Sequence, residues 1–430
     1  MREIRTYGLM RGKSHRRNRG VGLYSTERCP CAFEESAAVP MTVWIQNPFD
    51  NLPSEGYRKQ RYWLMCEAFA RAGHQVVFWT SDFSHAKKKM RFEKFERFER
   101  FEKFEVRYIP TLPYPKNVCL ARIHSHRAYA REWMRLALDN RTIEHSEQSN
   151  IPSLVITSTP TLSAAAAALT IGHALGSKVV VDVMDAWPET FKRLAPKGLR
   201  WLTKPFLIGM YRTARRIYRE ADLVTGVCER YRKLTGREDY YLAYHGIEEK
   251  EKGEGRKEKV RTAGGNRKIR LVYAGNLGKT YDLKTVVKAV EANGEFELDV
   301  AGFGEFKCEC PRVRFHELLS EQDLQALLGQ CDVGIVPMRP DSWVGVPYKF
   351  CDYSQAGLAI VSSLGGESSA LLEKYRCGVT YNAGDVASLV AAIRKAMTLE
   401  RGASRTMCAA EFDAVKIYDG YVERVLSLVR

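Results

Sequence analysis

Residues 342–363, SWVGVPYKFCDYSQAGLAIVSS, decide how the rest of the chain is read. Pro347 suits a first helical position and Gly357 a stop, so 348–356 reads as a helix of about two to three turns. The apolar run 359–362 behind it reads as a buried strand. The amino end of the helix faces Gly345 and Val346, where uncommitted backbone N–H groups and the missing side chain at Gly345 suit a phosphate or carboxylate. Lys349 and Asp352 stand three apart and share a helical face. A cation beside the anion and a carboxylate one turn on suit the phosphates and ribose hydroxyls of a nucleotide. The same pair also reads as a surface ion pair on an ordinary helix.

Working outward, Gly275-Asn276-Leu277-Gly278-Lys279 follows a strand at 271–273 and precedes a helix, placing a glycine loop with a cation at the carboxyl edge of a sheet. Gly302-Phe303-Gly304-Glu305 repeats the arrangement after a strand at 298–301. Either loop alone also reads as a tight turn. Together with Gly345, Val346, Pro347 and Lys349 they converge on one edge. The loop before Ser320, which includes Leu318, can present backbone groups to a base, whereas Ser320 to Asp323 reads as a helix start. Further strands at 313–315, 333–336, 359–362 and 379–381 make this half an alternating α/β unit.

The first half shows the same alternation, with strands at 43–45, 76–79, 106–109, 154–156, 179–183 and 223–227 and a crossover helix at 61–71. The strand at 43–45 runs out into loop 47–56, where ligand sites of open α/β sheets gather. Asp182 and Asp185 flank a strand end, where a carboxylate is a turn former or a substrate ligand. His85, His124 and His126 are bases without a nameable partner. Residues 91–105 repeat basic-Phe-Glu and read as an exposed charged insertion without function. Segment 191–220 mixes Trp201, Phe206 and Met210 with Arg212, Arg215 and Arg216, and so reads as a helix on anionic lipid or as a core helix with a charged outer face.

The chain has 430 residues and is 45 % hydrophobic, so two domains of about 200 residues are the expectation. Its net charge of +16 favours anionic partners. Eleven cysteines without zinc spacing read as reduced thiols of a cytoplasmic protein. No run is long and apolar enough to span a membrane, and residues 1–40 have no apolar signal core. That basic stretch reads as a disordered leader or a start-codon artefact, and 246–268 as a charged linker. No two aspartates are separated by one residue, so an Asp-x-Asp metal site is unsupported.

GNLGKTYDL, AGFGE, LSEQDLQALLGQCDVGIVP and VPYKFCDYSQAGLAIVSS resemble the donor domain of family 4 glycosyltransferases. WIQNPFDNLPSEGYRKQRYW, GHQVVFWTSDFSH, STPTLSAAAAAL and VVDVMDAWPE are similar to the acceptor domain of members that assemble O-antigen and other surface polysaccharides. The resemblance implies a GT-B fold. Two Rossmann-like domains, 41–245 for the acceptor and 269–405 for the donor, face one another across a cleft, and 406–430 is a helix reaching back. It implies retaining hexosyl transfer from a nucleotide-sugar, expected to be a UDP-sugar, to a lipid-linked or glycan acceptor, with no cofactor and no metal.

Residue by residue, the resemblance assigns Asp352 to the ribose and gives catalytic roles to Asp185, Lys279 and Lys349. Gly275, Asn276, Gly278, Gly302, Gly304, Leu318, Gly345, Val346 and Pro347 become donor ligands, and Arg58 and Arg61 acceptor ligands. Val344 stands where the family has its first motif Glu, a departure that also fits an inactive relative. A cytoplasmic protein held weakly on the inner membrane face by anionic lipid follows, with no nucleic-acid partner. The competing readings are a nucleotide-sugar epimerase, a nucleotide-holding scaffold, and a nucleic-acid-binding protein motivated by the charge.

Overall fold

The segment Thr42–Gln46 (β1) is buried along its whole length, as a strand covered on both faces must be. In the computed structural model, which describes residues 39–92, 98–117, 119–139, 151–192, 195, 197–249, 267–278, 280–317 and 319–430, it lies at the centre of an eight-stranded sheet. The others are Gln75–Ser81 (β2), Phe98–Arg100 (β5), Glu105–Ile109 (β6), Leu154–Thr159 (β7), Lys178–Val183 (β8), Leu223–Gly226 (β9) and Tyr241–Leu242 (β10). The order is β10-β9-β8-β7-β1-β2-β6-β5, parallel except for β5 on β6. A two-stranded ribbon, Phe83–Ser84 (β3) with Lys89–Met90 (β4), lies between β2 and β5 in the chain.

A second sheet contains Ile269–Ala274 (β11), Phe296–Ala301 (β12), Val313–His316 (β13), Val333–Val336 (β14), Ala359–Ser362 (β15) and Gly378–Thr380 (β16) in the order β13-β12-β11-β14-β15-β16, all parallel. Each sheet carries a separate apolar cluster on each of its two faces. The result is mixed α/β with two Rossmann-like domains, and residues Pro40–Arg430 form one compact unit.

In each sheet the order in which strands are added reverses beside the first strand, between β1 and β7 and between β11 and β14. Loops leaving the carboxyl ends of such neighbours diverge and open a crevice. Helix Tyr348–Ala356, which follows β14, stops at Gly357 with φ 77°, a left-handed turn only glycine adopts freely.

Two sequence expectations are corrected here. The continuous last helix is two, Ala403–Glu411 and Ala414–Leu426, because Asp413 caps the second by accepting from the Lys416 N–H. The first packs on the second sheet, whereas Tyr418, Tyr421, Val422 and Val425 of the second join the core of the first sheet. The chain crosses between the sheets beside its earlier crossing, with the Ile247 N–H donating to Phe412 O at 2.8 Å. The basic-Phe-Glu repeat is also more than an exposed insertion. Arg91 is buried in an ion pair with Glu55, Phe101 and Phe104 pack edge-on against Trp63, and residues 98–100 form the edge strand β5.

Residues 1–38 of the basic leader, 250–266 of the linker, Lys279 and Leu318 lie outside the described residues.

Candidate active site

The crevice beside β1 holds a cavity of about 280 Å³. Asn47, Phe49 and Asp50 from the loop after β1, and Ser158, Thr159 and Pro160 at the end of β7, line it together with Met184. Its roof is Tyr348 of the second domain. The Tyr348 hydroxyl is buried without a hydrogen-bond partner among the described residues, so it offers a ligand hydroxyl both a donor and an acceptor. Beneath it the His245 ring stacks at 4.2 Å, and burial first, then Arg61, hold that imidazole neutral with a pKa pushed down to about 3.

Asp50 caps its own surroundings, accepting from Asn47 Nδ2 at 2.6 Å and from the Tyr62 N–H at 3.2 Å. Burial raises its carboxyl to about 7, against the opposing pull of the Tyr62 N–H and of Arg91. A carboxyl that titrates near neutrality beside a cavity can exchange a proton with what the cavity holds.

Across the cleft, Lys349 is buried, and its Nζ lies 4.1 Å from the Tyr281 ring centroid and 5.0 Å from that of Tyr273. A Cβ on Gly275 would fall 2.5 Å from this nitrogen, so the cation and the glycine loop meet as the sequence places them. Among the described residues no carboxylate forms an ion pair with Lys349. Asp352, also buried, pairs instead with Arg58 of the first domain, whose guanidinium stacks 4.6 Å over Tyr348. The surface ion-pair reading of Lys349 and Asp352 is thereby corrected: both are covered, and they point to different partners.

The remaining assigned residues separate by role. Gly302 has φ 142°, and a Cβ there would stand 1.9 Å from Gly275 O; it is glycine so that the two loops can touch, as does Gly304 against Leu277. Asn276 and Gly278 continue the first loop, with the Leu277 N–H donating to Phe303 O at 2.8 Å. The bareness of Gly345 makes room for Cys228 of the other domain and for Glu367 of its own: Cys228 Cβ and a Glu367 oxygen would lie 2.6 and 2.8 Å from an added Cβ. Val346 is buried and Pro347 is the residue before the helix.

Arg61, assigned to the acceptor, lines the cavity, yet its guanidinium is committed to the core. It is fully buried, donates from Nε and Nη2 to Asp182 at 2.8 and 2.9 Å, and donates from Nη1 to the Ala243 and Tyr244 carbonyls. Asp182 accepts further bonds from Tyr62 and Thr225, which complete a core ion pair under the last helix. Asp185 shapes its own turn, with Oδ1 accepting from the Ala186 N–H at 2.8 Å and from Thr190 Oγ1 at 3.2 Å; the geometry supports the turn-forming reading.

Sequence reasoning missed Tyr348, Glu367 and His245. Glu367 accepts from the Glu229 N–H at 3.1 and 3.0 Å and from the Tyr244 hydroxyl at 2.6 Å, clamping the domains. Its only sequence signal is its place after the Gly365-Gly366 loop that follows β15.

Comparison with known proteins agrees with this architecture. Residues 268–398 match the model described as "Glycosyl transferases group 1", and residues 59–240 match "Glycosyl transferase 4-like domain". No curated protein sequence matches the chain. Among solved structures it is similar to a sucrose-phosphate synthase from Thermosynechococcus elongatus, with TM-score 0.69, 12 % identity, and 91 % of this chain and 100 % of that one covered. It is also similar to Anabaena Alr3699/HepE in complex with UDP-glucose, with TM-score 0.58, 13 % identity and 90 % and 100 % coverage. A third is the lipopolysaccharide outer core galactosyltransferase WaaB, with TM-score 0.54, 12 % identity and 90 % and 99 % coverage. The fold is therefore that of GT-B glycosyltransferases, and the two family matches support a glycosyltransferase of the family 4 type.

Proposed function

We propose that the chain is a retaining glycosyltransferase that moves a hexosyl group from a UDP-sugar to a lipid-linked or glycan acceptor in cell-surface glycan synthesis. The observation that carries this reading is Lys349, a buried cation without a carboxylate partner among the described residues, held against Gly275 where the second sheet reverses. Departure of a nucleoside diphosphate concentrates negative charge on its phosphates, and a cation fixed at that point lowers the barrier most. Lys279, assigned on sequence, is the second cation of this reading, which needs no cofactor. Asp352, once released by Arg58, is the ribose ligand, and the cavity roofed by Tyr348 receives the acceptor. The UDP-glucose complex of Alr3699/HepE supports UDP as the nucleotide of the donor.

Attachment to an anionic membrane face belongs to the same reading. Helix Lys204–Glu220 buries Leu207, Ala214, Ile217 and Tyr218 but leaves Phe206 85 % and the preceding Trp201 64 % exposed, with Arg212, Arg215 and Arg216 outward. Among the described residues no helix is long and apolar enough to cross a membrane.

One observation favours a nucleotide-holding scaffold, namely that Asp352 is engaged by Arg58 while Val344 replaces a carboxylate. Thermal-shift screening of UDP-, GDP- and dTDP-sugars, followed by assay of nucleotide release, tests both readings. A UDP-sugar that raises the melting temperature and is then consumed supports transfer. Stabilisation without consumption supports the scaffold, and no stabilisation by any donor contradicts both.

A further inference from the structure

Beside the first-domain cavity, Lys88 and Arg122 share one aromatic ring. Lys88 Nζ lies 4.8 Å and the Arg122 guanidinium carbon 5.8 Å from the Tyr114 centroid. Among the described residues their hydrogen-bond partners are all neutral. Lys88 donates to Asn117 Oδ1 at 2.6 Å and to His85 Nδ1 at 3.2 Å. Arg122 donates to Asn117 O at 2.8 Å and to His126 Nε2 at 3.2 Å. Both imidazoles are held neutral by burial, with pKa values pushed down to about 3. Asp185, the acid that acts on Arg122 from a greater distance, is engaged with Ala186 and Thr190. Burial and the Arg122 charge lower the Lys88 ammonium to about 8. Two like charges on one ring, with no carboxylate among the described residues in ion-pair reach, are held at a cost that an anionic ligand removes.

The surroundings indicate what carries that anion. Arg122 lies 5.1 Å from the ring of Phe49, which lines the 280 Å³ cavity, and 5.3 Å from the ring of Trp187. Trp187 packs edge-on against Phe191 at 4.4 Å, and the next residue, Lys192, lies over Tyr211 of helix Lys204–Glu220 at 4.7 Å. The cation pair thus stands between the cavity and the helix with the exposed apolar side chains.

We propose that Lys88, Arg122 and Asn117 form a phosphate-binding site for the acceptor, placing an acceptor sugar toward the cavity and any lipid tail toward Phe206. This rests on the transfer reading for the word acceptor, but the anion site stands on its own geometry. Calorimetric titration of the full chain with inorganic pyrophosphate, in the presence of saturating UDP to fill the nucleotide site, tests it. Wild type is expected to bind, and Lys88→Gln/Arg122→Gln to bind at least tenfold more weakly with unchanged UDP affinity. The single variant Lys88→Gln, expected to weaken binding severalfold, serves if the double variant melts early. Phosphatidylcholine vesicles doped with a long-chain prenyl phosphate identify the source. Loss of vesicle binding in the variant assigns a lipid-borne phosphate, and loss of pyrophosphate binding alone assigns a free one. Wild type that ignores pyrophosphate, or variants that bind it as well as wild type, overturn the site. Absence of UDP binding instead contradicts the transfer reading, with the pyrophosphate result still decisive for the site.

Discussion

Arg58 and Asp352, 294 positions apart, meet as an ion pair across the cleft, with the Arg58 guanidinium lying over Tyr348. The carboxylate assigned to the ribose is thus held by the opposite domain, and under the proposed function donor entry exchanges one partner for another. Arg58→Met is expected to loosen closure and free Asp352, giving a larger radius of gyration in small-angle scattering and tighter UDP binding. Unchanged scattering together with unchanged affinity would show that the pair does not hold the domains.

Arg61→Met addresses the other arginine of this segment. It strands Asp182 in a dry core, a loss of about 3–5 kcal/mol for a broken buried pair. Urea midpoints are expected to fall sharply. A variant as stable as wild type but impaired in acceptor use would give Arg61 a ligand role in place of the structural one.

The strands and most helices were legible because strands covered on both faces are unbroken apolar runs, and Gly or Pro punctuates the loops between them, as Pro347 and Gly357 do. The Gly275 loop and Lys349 were legible for the same local reason. Arg61 was not, since its identity as a core residue depends on Asp182, 121 positions away. Nor was the break at Phe412, an apolar residue that continues the helical pattern while Asp413 caps a new helix. Tyr348 and Glu367 acquire meaning only when the other domain supplies their contacts.

Asp50 makes the stability of the fold depend on pH. Burial raises its carboxyl from the ordinary 3.8 to about 7, so its contribution is full below about 4 and is lost as pH rises through 7. Asp50→Asn stays neutral. Wild-type urea midpoints are expected to decline more than those of the variant between acidic and mildly alkaline buffer, and parallel profiles would place Asp50 among normally titrating acids.

Membrane attachment predicts that wild type sediments with anionic vesicles, less so as salt rises, and that Arg212, Arg215 and Arg216 changed together to Glu abolish it. Each cation near such a surface contributes about 1 kcal/mol. Equal binding by the triple variant, or binding indifferent to lipid charge, would leave the helix a packed element with a charged outer face.

Under the proposed function, the donor phosphates bind where Lys349 meets Gly275. Titration of a UDP-sugar into wild type and Lys349→Met measures this directly, because methionine keeps the buried stem between Tyr273 and Tyr281 and removes only the charge. Affinity is expected to weaken about tenfold or more, equivalent to about 1.4 kcal/mol, at an unchanged melting temperature. Equal affinity in the two proteins would contradict it.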